Sequence, residues 1–165
     1  MKQLISQINL SLRKANIFTD FKKIRELRKK SSETSRSHYS VEDVKIMTGA
    51  GDHLLLDFIN PFRKIYVGTL EKQIVGYIEI APSKEWLWHI FVHPSYAGKG
   101  IGKFLMNKVE EMFKQEDLEN IKLYARLNAV NFYKKLGFVE KGRHNWKNIF
   151  TRYKSFEMKY MVKKI

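Results

Sequence analysis

The sequence predicts a mixed α/β fold with a central, twisted, mostly antiparallel sheet flanked by about four helices. Three observations support this prediction. Apolar residues alternate through two adjacent segments near the middle of the chain, as in a β-hairpin. Helical spacing of apolar residues appears on both sides of that hairpin. A third strand-like segment runs into a glycine-rich turn and then a helix. Because the chain has 165 residues, we expect one domain over residues 1–165.

Two helices are predicted in the first third of the chain. The first carries an apolar residue at every third position, which predicts one buried stripe: Phe18, Phe21, Ile24 and Leu27. Thr19 or Asp20 is its expected cap. The polar segment 31–40 then predicts a loop. Ser40 and Asp43 form the S-x-x-D pattern of a capping box, so a short second helix should follow.

The sequence also predicts where the second helix ends and which element precedes the first helix. The second helix should end near Gly49 or Gly51, because glycine commonly terminates helices. Residues 5–14 are expected to add a first strand before the first helix.

The middle of the chain changes to the period of a strand. Residues 64–70 and 74–81 alternate apolar and other side chains, and residues 71–73 form the expected turn between them. Residues 85–92 predict a third strand. Because this third segment is apolar on both faces, we expect it to lie at the centre of the sheet.

The second half alternates helices and strands. Residues 98–115 contain a helix whose apolar face is formed by Ile101, Phe104, Leu105, Val109, Met112 and Phe113. A strand is expected at 120–125 and a final strand at 156–163. Between them, a short helix ends at Gly137 and carries a stripe of Ala129, Phe132, Tyr133 and Leu136.

The composition narrows the function. Lys and Arg number 31 against 17 Asp and Glu, giving a net charge of +14, which attracts anionic cofactors and disfavours polyamine acceptors. The absence of cysteine excludes thiolate zinc sites, and the five histidines show no H-E-x-x-H pairing, so no metal is expected. We find neither a signal-peptide pattern nor a membrane-length apolar run, and therefore expect a cytoplasmic protein without a membrane partner.

The glycine-rich turn at 98–103 is the most informative segment. A strand, a glycine turn and a helix start in this order direct backbone N–H groups and the positive end of the helix at one spot. An anion is the expected ligand, and Lys99 and Lys103 add positive charge. A nucleotide P-loop would need Gly at position 97 and Ser or Thr at position 104, where the chain has Ala97 and Phe104.

Two segments resemble one family. The stretch VHPSYAGKGIGKFLM resembles motif A of the GNAT superfamily of acyl-CoA N-acyltransferases, with residues 97–102 at the glycine pattern. The stretch NAVNFYKKLGF at 128–138 resembles the second signature of that family. Two positions depart from the pattern. Ala97 stands where members carry Arg or Gln, and Arg126 stands where many carry Asn.

The resemblance implies acetyl-CoA as co-substrate. The third strand would splay from its neighbour, so that the backbone groups of Ile90 and Val92 pair with pantetheine. Tyr133 matches the tyrosine that protonates the sulfur of CoA in this family. The residues implied to bind the cofactor are Ile90, Phe91, Val92, Gly98, Lys99, Gly100, Ile101, Gly102, Lys103, Asn128, Asn131 and Tyr133.

The acceptor amine must also lose a proton. At pH 7 an amine with a pKa near 10.4 is neutral in only about one molecule in 2,500, so a base or a desolvating pocket is required. The candidate bases are His89, Glu79, Glu85 and His93, and a base acting through water stays open. We expect His89 to be catalytic because its ordinary pKa suits this role best.

The acceptor pocket carries no motif. Trp86 and Trp88 share one face of the third strand and line this pocket or pack in the sheet. His144 lies on a predicted late loop that faces the acceptor.

We expect an N-acetyltransferase that acts on a primary amine of a small molecule or peptide. A homodimer is compatible with the sequence. One alternative is a CoA-binding sensor without turnover, suggested by Ala97 and by the missing acid on the third strand. Another is a basic nucleic-acid-binding module that uses Tyr153, Phe156 and Tyr160 for stacking. We do not expect nucleic acid as a partner, because these aromatic residues alternate at strand period.

Overall fold

The computed structural model of the chain describes residues 9–48, 53–147 and 155–165. The strands are β1 (Leu10–Lys14), β2 (Lys64–Leu70), β3 (Gln73–Ala81), β4 (Trp86–Val92), β5 (Asn120–Arg126), β6 (Val139–Lys147) and β7 (Ser155–Lys164). The α-helices are α1 (Ile17–Glu33), α2 (Val41–Thr48), α3 (Leu54–Ile59), α4 (Ile101–Gln115) and α5 (Val130–Lys135). Within the described ranges, no helix combines the length and the apolar character needed to cross a membrane.

The seven strands form one sheet in the order β1-β2-β3-β4-β5-β7-β6. Every neighbouring pair is antiparallel except β4 and β5, which run parallel. The predicted mixed α/β fold with a mostly antiparallel sheet is therefore confirmed, and β4 occupies the expected central position. The turn between β2 and β3 consists of Glu71 and Lys72, which both have positive φ (48° and 68°), as tight hairpins require.

Helices cover both faces of the sheet. On one face, α4 and α5 enclose a core cluster that includes Leu105, Val109 and Phe113. On the other face, Ile24 and Leu27 of α1 pack with α3 and the sheet in a second cluster. The two clusters fix the central strands from both sides, and β4 contributes to each of them.

The first helix differs from its prediction in three respects. Its cap is Asn16, whose side chain accepts from the Phe18 N–H at 2.8 Å, and not Thr19 or Asp20. Phe18 is 94% exposed, so its assignment to the buried stripe was wrong. The predicted loop at 31–40 was also wrong in part, because α1 extends to Glu33 and a 3₁₀ turn occupies Thr34–Ser37.

The second helix begins as predicted, whereas two other elements were not predicted. The capping box is present, with the Asp43 N–H donating to Ser40 Oγ at 3.1 Å and the Ser40 N–H donating to Asp43 Oδ2 at 3.3 Å. The short helix α3 and the strand β6 were missed. The expected first strand is confirmed only as β1, because residues 1–8 lie outside the described residues. The expected helix end near Gly49 or Gly51 also lies outside them.

Candidate active site

The parallel strands β4 and β5 separate along their length. Among the described residues the two strands pair at one position, where Trp86 lies opposite Lys122. Glu85 holds the strands together at this end, since its carbonyl accepts from the Lys122 N–H at 2.8 Å. Its carboxylate also lies 2.6 Å from Lys122 Nζ and accepts from the Asn120 N–H at 3.0 Å. A gap between the two strands therefore opens toward their carboxyl ends.

The backbone groups of Ile90 and Val92 point toward this gap. In antiparallel pairing, the N–H and C=O groups of successive residues alternate between the two neighbours of a strand. The His93 N–H donates to the Val75 carbonyl at 2.8 Å, so the groups of His93 and Phe91 face β3. Those of Val92 and Ile90 consequently face the gap, where an extended ligand can hydrogen-bond to them.

The glycine turn lies where β4 ends and α4 begins. Gly98 and Gly100 have φ angles of +74° and +83°, a conformation that favours glycine, and a Cβ at either position would meet open space. The first turn of α4 leaves the N–H groups of Ile101, Gly102 and Lys103 without partners inside the helix. The turn therefore presents exposed backbone donors at the positive end of a helix.

The remaining residues of the turn have separate roles. The Lys99 N–H donates to the Tyr96 carbonyl at 3.3 Å, so this amide stabilises the turn itself. The Lys99 ammonium lies 5.1 Å from the centre of the Tyr96 ring. At Gly102 a Cβ would lie 3.1 Å from the Phe132 ring, so glycine there permits the contact between α4 and α5.

A cavity of about 470 Å³ lies against β4 and β5, on the face of the sheet that α1 and α3 cover. Its wall combines residues of α1, α2 and α3 with residues of the sheet and of α5. The predicted site residues that line it are Trp86, Trp88, His89, Ile90, Phe91, Asn128, Tyr133 and His144. The cavity thus reaches from the aromatic part of β4 to the helix that carries Tyr133.

A β-bulge in β4 brings His89 into this cavity. Glu79 on β3 is paired with His89, whereas the next residue, Ile80, is paired with Leu87, so Trp88 is the extra residue. Cross-strand partners place their side chains on the same face of a sheet. Trp86 and His89 therefore share the face that carries Glu79, although regular alternation would place them on opposite faces.

Beneath His89 lies a buried network of charges. Glu79 is fully buried, and its carboxylate contacts the guanidinium of Arg63. Arg63 also lies 3.6 Å from Asp57, and its guanidinium stacks on the Trp88 ring at 3.9 Å. The second carboxylate oxygen of Glu79 lies 4.0 Å from His89 Nε2. His89 therefore separates Glu79 from the cavity.

The environment changes the proton affinity of both groups. Burial, together with the charge of Asp57, raises the pKa of Glu79 to about 7, even though Arg63 acts in the opposite direction. Burial lowers the pKa of His89 well below its ordinary value, and the positive charges of Arg28, Arg126 and Arg63 lower it further. At neutral pH, His89 is uncharged and Glu79 exchanges a proton readily.

Asp57, Glu79 and His89 also offer ligand atoms within 4.8 Å of one another, a spacing compatible with a metal ion. The guanidinium of Arg63, however, contacts Glu79 and lies close to Asp57. A positive charge is thus already present between the two carboxylates. We therefore interpret the cluster as an ion-pair network.

Tyr133 of α5 lines the cavity. Its ring packs edge-on against Phe132 and Phe138, at centroid distances of 5.1 and 5.4 Å. Burial raises the pKa of Tyr133 well above its ordinary value, while the charge of Arg126 acts in the opposite direction. The hydroxyl consequently stays protonated at neutral pH, as a proton donor requires.

Aromatic side chains form another part of the wall. The Trp86 ring lies 5.6 Å from that of Trp88 and 4.9 Å from that of Tyr124. His144 stacks on Tyr124 with a centroid distance of 3.9 Å. The prediction that His144 lies on a loop was wrong, because it belongs to β6, and its place in the cavity follows from strand pairing with β7.

Several candidates lie outside the cavity wall. Asn131 is exposed on α5, and Lys99 and Lys103 are exposed at the start of α4. Glu85 forms the junction of β4 and β5 and is not part of the cavity wall. The His93 side chain accepts from the Ser95 N–H at 3.3 Å and thereby caps the turn after β4.

The aromatic residues considered for nucleic-acid stacking belong to the sheet where they are described. Phe156 is buried, and the Tyr160 ring stacks on Trp86 at 6.0 Å. Tyr153 lies outside the described residues.

Sequence reasoning missed Arg28, Arg63 and Asp57 as parts of the site. Arg28 follows Ile24 by four residues on the buried face of α1, and this spacing was a usable signal. Arg63 and Asp57 carried no such signal. They lie in or next to the missed helix α3, and only the fold brings them to Glu79.

The chain matches a known family over most of its length. A family model for the acetyltransferase (GNAT) domain covers residues 26–154. The protein therefore belongs to the GNAT acetyltransferase family. This agrees with the resemblance of the two sequence motifs.

Parts of the chain are similar to curated N-acetyltransferases. Over 77 residues the chain is 32% identical to the uncharacterized N-acetyltransferase ycf52 of Gracilaria tenuistipitata, covering 45% of this chain and 42% of that protein. It is 35% identical over 71 residues to GCN5-related N-acetyltransferase 2, chloroplastic, of Arabidopsis thaliana, covering 41% and 28% of the two chains. The matched segments thus span less than half the length of these relatives.

Two crystal structures have the same fold. A GCN5-related N-acetyltransferase from Rhodopseudomonas palustris superposes with a TM-score of 0.84 at 22% identity, covering 94% of this chain and 95% of that one. The PaiA N-acetyltransferase of Thermoplasma acidophilum, solved with coenzyme A, gives a TM-score of 0.72 at 22% identity and covers 95% and 99%.

Proposed function

We propose that the protein transfers the acetyl group of acetyl-CoA to a primary amine of a small molecule or peptide by direct attack. The observation that carries the proposal is the meeting of two features at one place. The gap between β4 and β5 opens beside Ile90 and Val92, and the cavity on the neighbouring face extends to Ile90 and Tyr133. A thioester in the gap and an amine in the cavity would meet there.

The acetyl-CoA side fits an extended molecule with a phosphate group at one end. The outward-facing backbone groups of Ile90 and Val92 would bind pantetheine, and one N–H there would polarise the thioester carbonyl. The amides of Gly98 and Gly100 and of the first turn of α4 would bind the pyrophosphate. Lys99 and Lys103 would add positive charge beside it. These donors compensate for the small side chain at Ala97.

The amine side requires a proton acceptor, and we assign this role to Glu79 acting through His89. A pKa near 7 suits a general base at neutral pH. Glu79 has no exposed surface, so His89 accepts the proton from the amine in the cavity and passes it to the carboxylate. Arg63 and Asp57 hold the carboxylate in place.

The leaving sulfur requires a proton donor, for which we propose Tyr133. Acetyl-CoA supplies an activated thioester whose C–S bond breaks as the new C–N bond forms. The Tyr133 hydroxyl then donates its proton to the sulfur, and one of the two protons lost by the ammonium group returns from Glu79 through His89 and solvent to restore the phenol. Starting from the ammonium form of the acceptor, the balanced reaction yields the acetylated amine, free CoA thiol and one proton that is released to solvent.

The proposal extends to the domain organisation, the location and the co-substrate of the protein. We propose one domain over residues 1–165, a cytoplasmic location and acetyl-CoA as the sole co-substrate without a metal. Asn128 and Asn131 stay candidates for contacts to pantetheine. The acceptor cavity is assigned to Trp86, Trp88 and His144.

The test combines binding and turnover. The purified protein is heated with and without acetyl-CoA at about 100 times Kd, where a specific ligand adds about 2.7 kcal/mol and raises Tm by about 5–11 °C. Free thiol and acetylated product are then measured with a panel of primary amines. We expect a Tm shift that survives high salt and amine-dependent thiol release. A shift without turnover would support a sensor, and no shift would contradict the proposal.

A further inference from the structure

The wall of the cavity carries an excess of positive charge. Three guanidinium groups face it or underlie it, those of Arg28, Arg63 and Arg126, against the two carboxylates of Asp57 and Glu79. Arg63 is engaged with both carboxylates. The balance in this part of the chain is therefore at least one positive charge when both acids are ionised.

Arg126 contributes a cation to this wall whose hydrogen-bond partners among the described residues are neutral. Its guanidinium donates to Ser32 Oγ at 2.9 Å and to Ser35 Oγ at 3.5 Å, which are neutral acceptors. It lies 5.0 Å from the centre of the Phe91 ring. Within the described residues it forms no ion pair, and burial and the charge of Arg28 lower the pKa of Arg126 to about 10. Such an environment favours an anionic ligand.

An anion bound to Arg126 would share the cavity with the acceptor amine. Arg126 lines the same cavity as His89 and Tyr133, the two residues assigned to proton transfer, and its charge acts to lower the pKa of both. An anion at Arg126 is therefore close to the point where the acetyl group moves. Beyond that point the cavity wall is aromatic, with Trp86, Trp88 and Tyr124.

We propose that the acceptor is an amine of the amino-acid type, with a carboxylate a few bonds from its amino group and an apolar or planar side group. The inference rests on the proposed acetyltransferase function and deepens it. Arg126 binds the carboxylate with two parallel N–H donors, and the charge of Arg28 supports this binding. The amino group then lies at His89, and the side group packs on Trp86 and Trp88.

The test compares two acceptors that differ only in the carboxylate, phenylalanine and 2-phenylethylamine. For the wild type we expect kcat/KM to be at least about tenfold higher for phenylalanine. A hydrogen bond to a charged group contributes about 1.5–3 kcal/mol of binding free energy, and about 1.4 kcal/mol corresponds to a tenfold change. Arg126→Gln should abolish this preference, and Arg126→Lys should retain part of it. Arg36→Gln, which removes one exposed charge just C-terminal to α1, is the matched control and should keep it.

Two further measurements separate the outcomes. KM for acetyl-CoA should stay within about twofold in Arg126→Gln; a rise there with an unchanged acceptor ratio would place Arg126 on the cofactor and overturn the inference. Protection by phenylalanine against thermal unfolding needs no turnover and should disappear in the same variant. Turnover with 2-phenylethylamine equal to that with phenylalanine would overturn the inference and leave the acetyltransferase function intact. Absence of turnover with every amine would instead contradict the function itself.

Discussion

The two sides of β4 are built in different ways. On one side, the glycine turn and the first turn of α4 come from one continuous segment, and their function depends on backbone groups. On the other side, the cavity draws side chains from α1, α2, α3, β4, β5, α5, β6 and β7. The contacts proposed for the first side come from backbone donors, which do not depend on side-chain identity. The second side can differ from one protein to the next, because each of its residues can change separately.

This difference predicts distinct effects of substitution. Changes at the glycine turn should alter the affinity for acetyl-CoA, whereas changes in the cavity should alter the chemical step or the choice of amine.

Tyr133→Phe removes the proposed proton donor. We expect kcat to fall by about 10²–10⁴-fold, with KM for acetyl-CoA nearly unchanged, because the hydroxyl acts in the transition state. Steady-state kinetics with saturating amine measure this effect. Tyr66→Phe, at a half-buried tyrosine of β2, is the matched control and should retain full activity. A Tyr133→Phe enzyme within twofold of wild type would exclude the proposed role.

Glu79→Gln removes the proposed proton acceptor but keeps the shape of the side chain. We expect kcat/KM to fall by about 10²-fold. For the wild type, kcat/KM should rise with pH through about 7, because Glu79 must be deprotonated to accept a proton. The variant should lack this part of the pH profile. Glu116→Gln, in an exposed ion pair with Lys64, should keep both the rate and the profile. An unchanged profile in Glu79→Gln would refute the assignment.

Gly100→Ala places a side chain on a residue with positive φ. The substitution should cost about 1–2 kcal/mol of folding free energy and raise KM for acetyl-CoA about tenfold, because the turn must distort. Gly142→Ala is the control, since a Cβ at that glycine would meet open space and its φ is not positive. It should change stability by less than about 0.5 kcal/mol. Equal effects of the two substitutions would contradict the role of the turn.

The double substitution Lys99→Gln and Lys103→Gln should have the smallest effect. Both side chains are exposed, so their attraction to phosphate is screened by salt. We expect Kd for acetyl-CoA to rise by about two- to fivefold at low salt and to approach the wild-type value at high salt. Lys22→Gln with Lys23→Gln removes the same charge from α1 and should leave Kd unchanged. A loss of binding that persists at high salt would mean that these lysines make direct contacts.

The sequence predicted one side of β4 far better than the other. The strand, the glycine turn and the helix are contiguous and periodic, so local pattern determined them. The face of His89 could not be predicted, because the bulge at Trp88 changes the alternation along β4. His144 was expected on a loop because residues 139–147 have no regular alternation of apolar residues, and pairing with β7 makes them a strand. The pairing of Glu79 with Arg63 and Asp57 depends on α3, which the sequence did not reveal.

The exposed face of α3 explains why this helix was missed. Leu55, Leu56 and Ile59 are exposed, whereas Asp57 is buried. Leu54, however, is buried, so apolar residues lie on both faces of α3 and give no amphipathic pattern that would mark a surface helix. A charged residue can occupy the buried position here because Arg63 lies 3.6 Å from it.

The most direct test of the two-sided site is a calorimetric titration of acetyl-CoA into three proteins: the wild type, Gly100→Ala and Glu79→Gln. The account predicts that the wild type binds acetyl-CoA, that Gly100→Ala binds about tenfold more weakly, and that Glu79→Gln binds with an unchanged Kd. Failure of the wild type to bind acetyl-CoA, or equal weakening in both variants, would contradict a division of the site between a backbone-built cofactor side and a side-chain-built amine side.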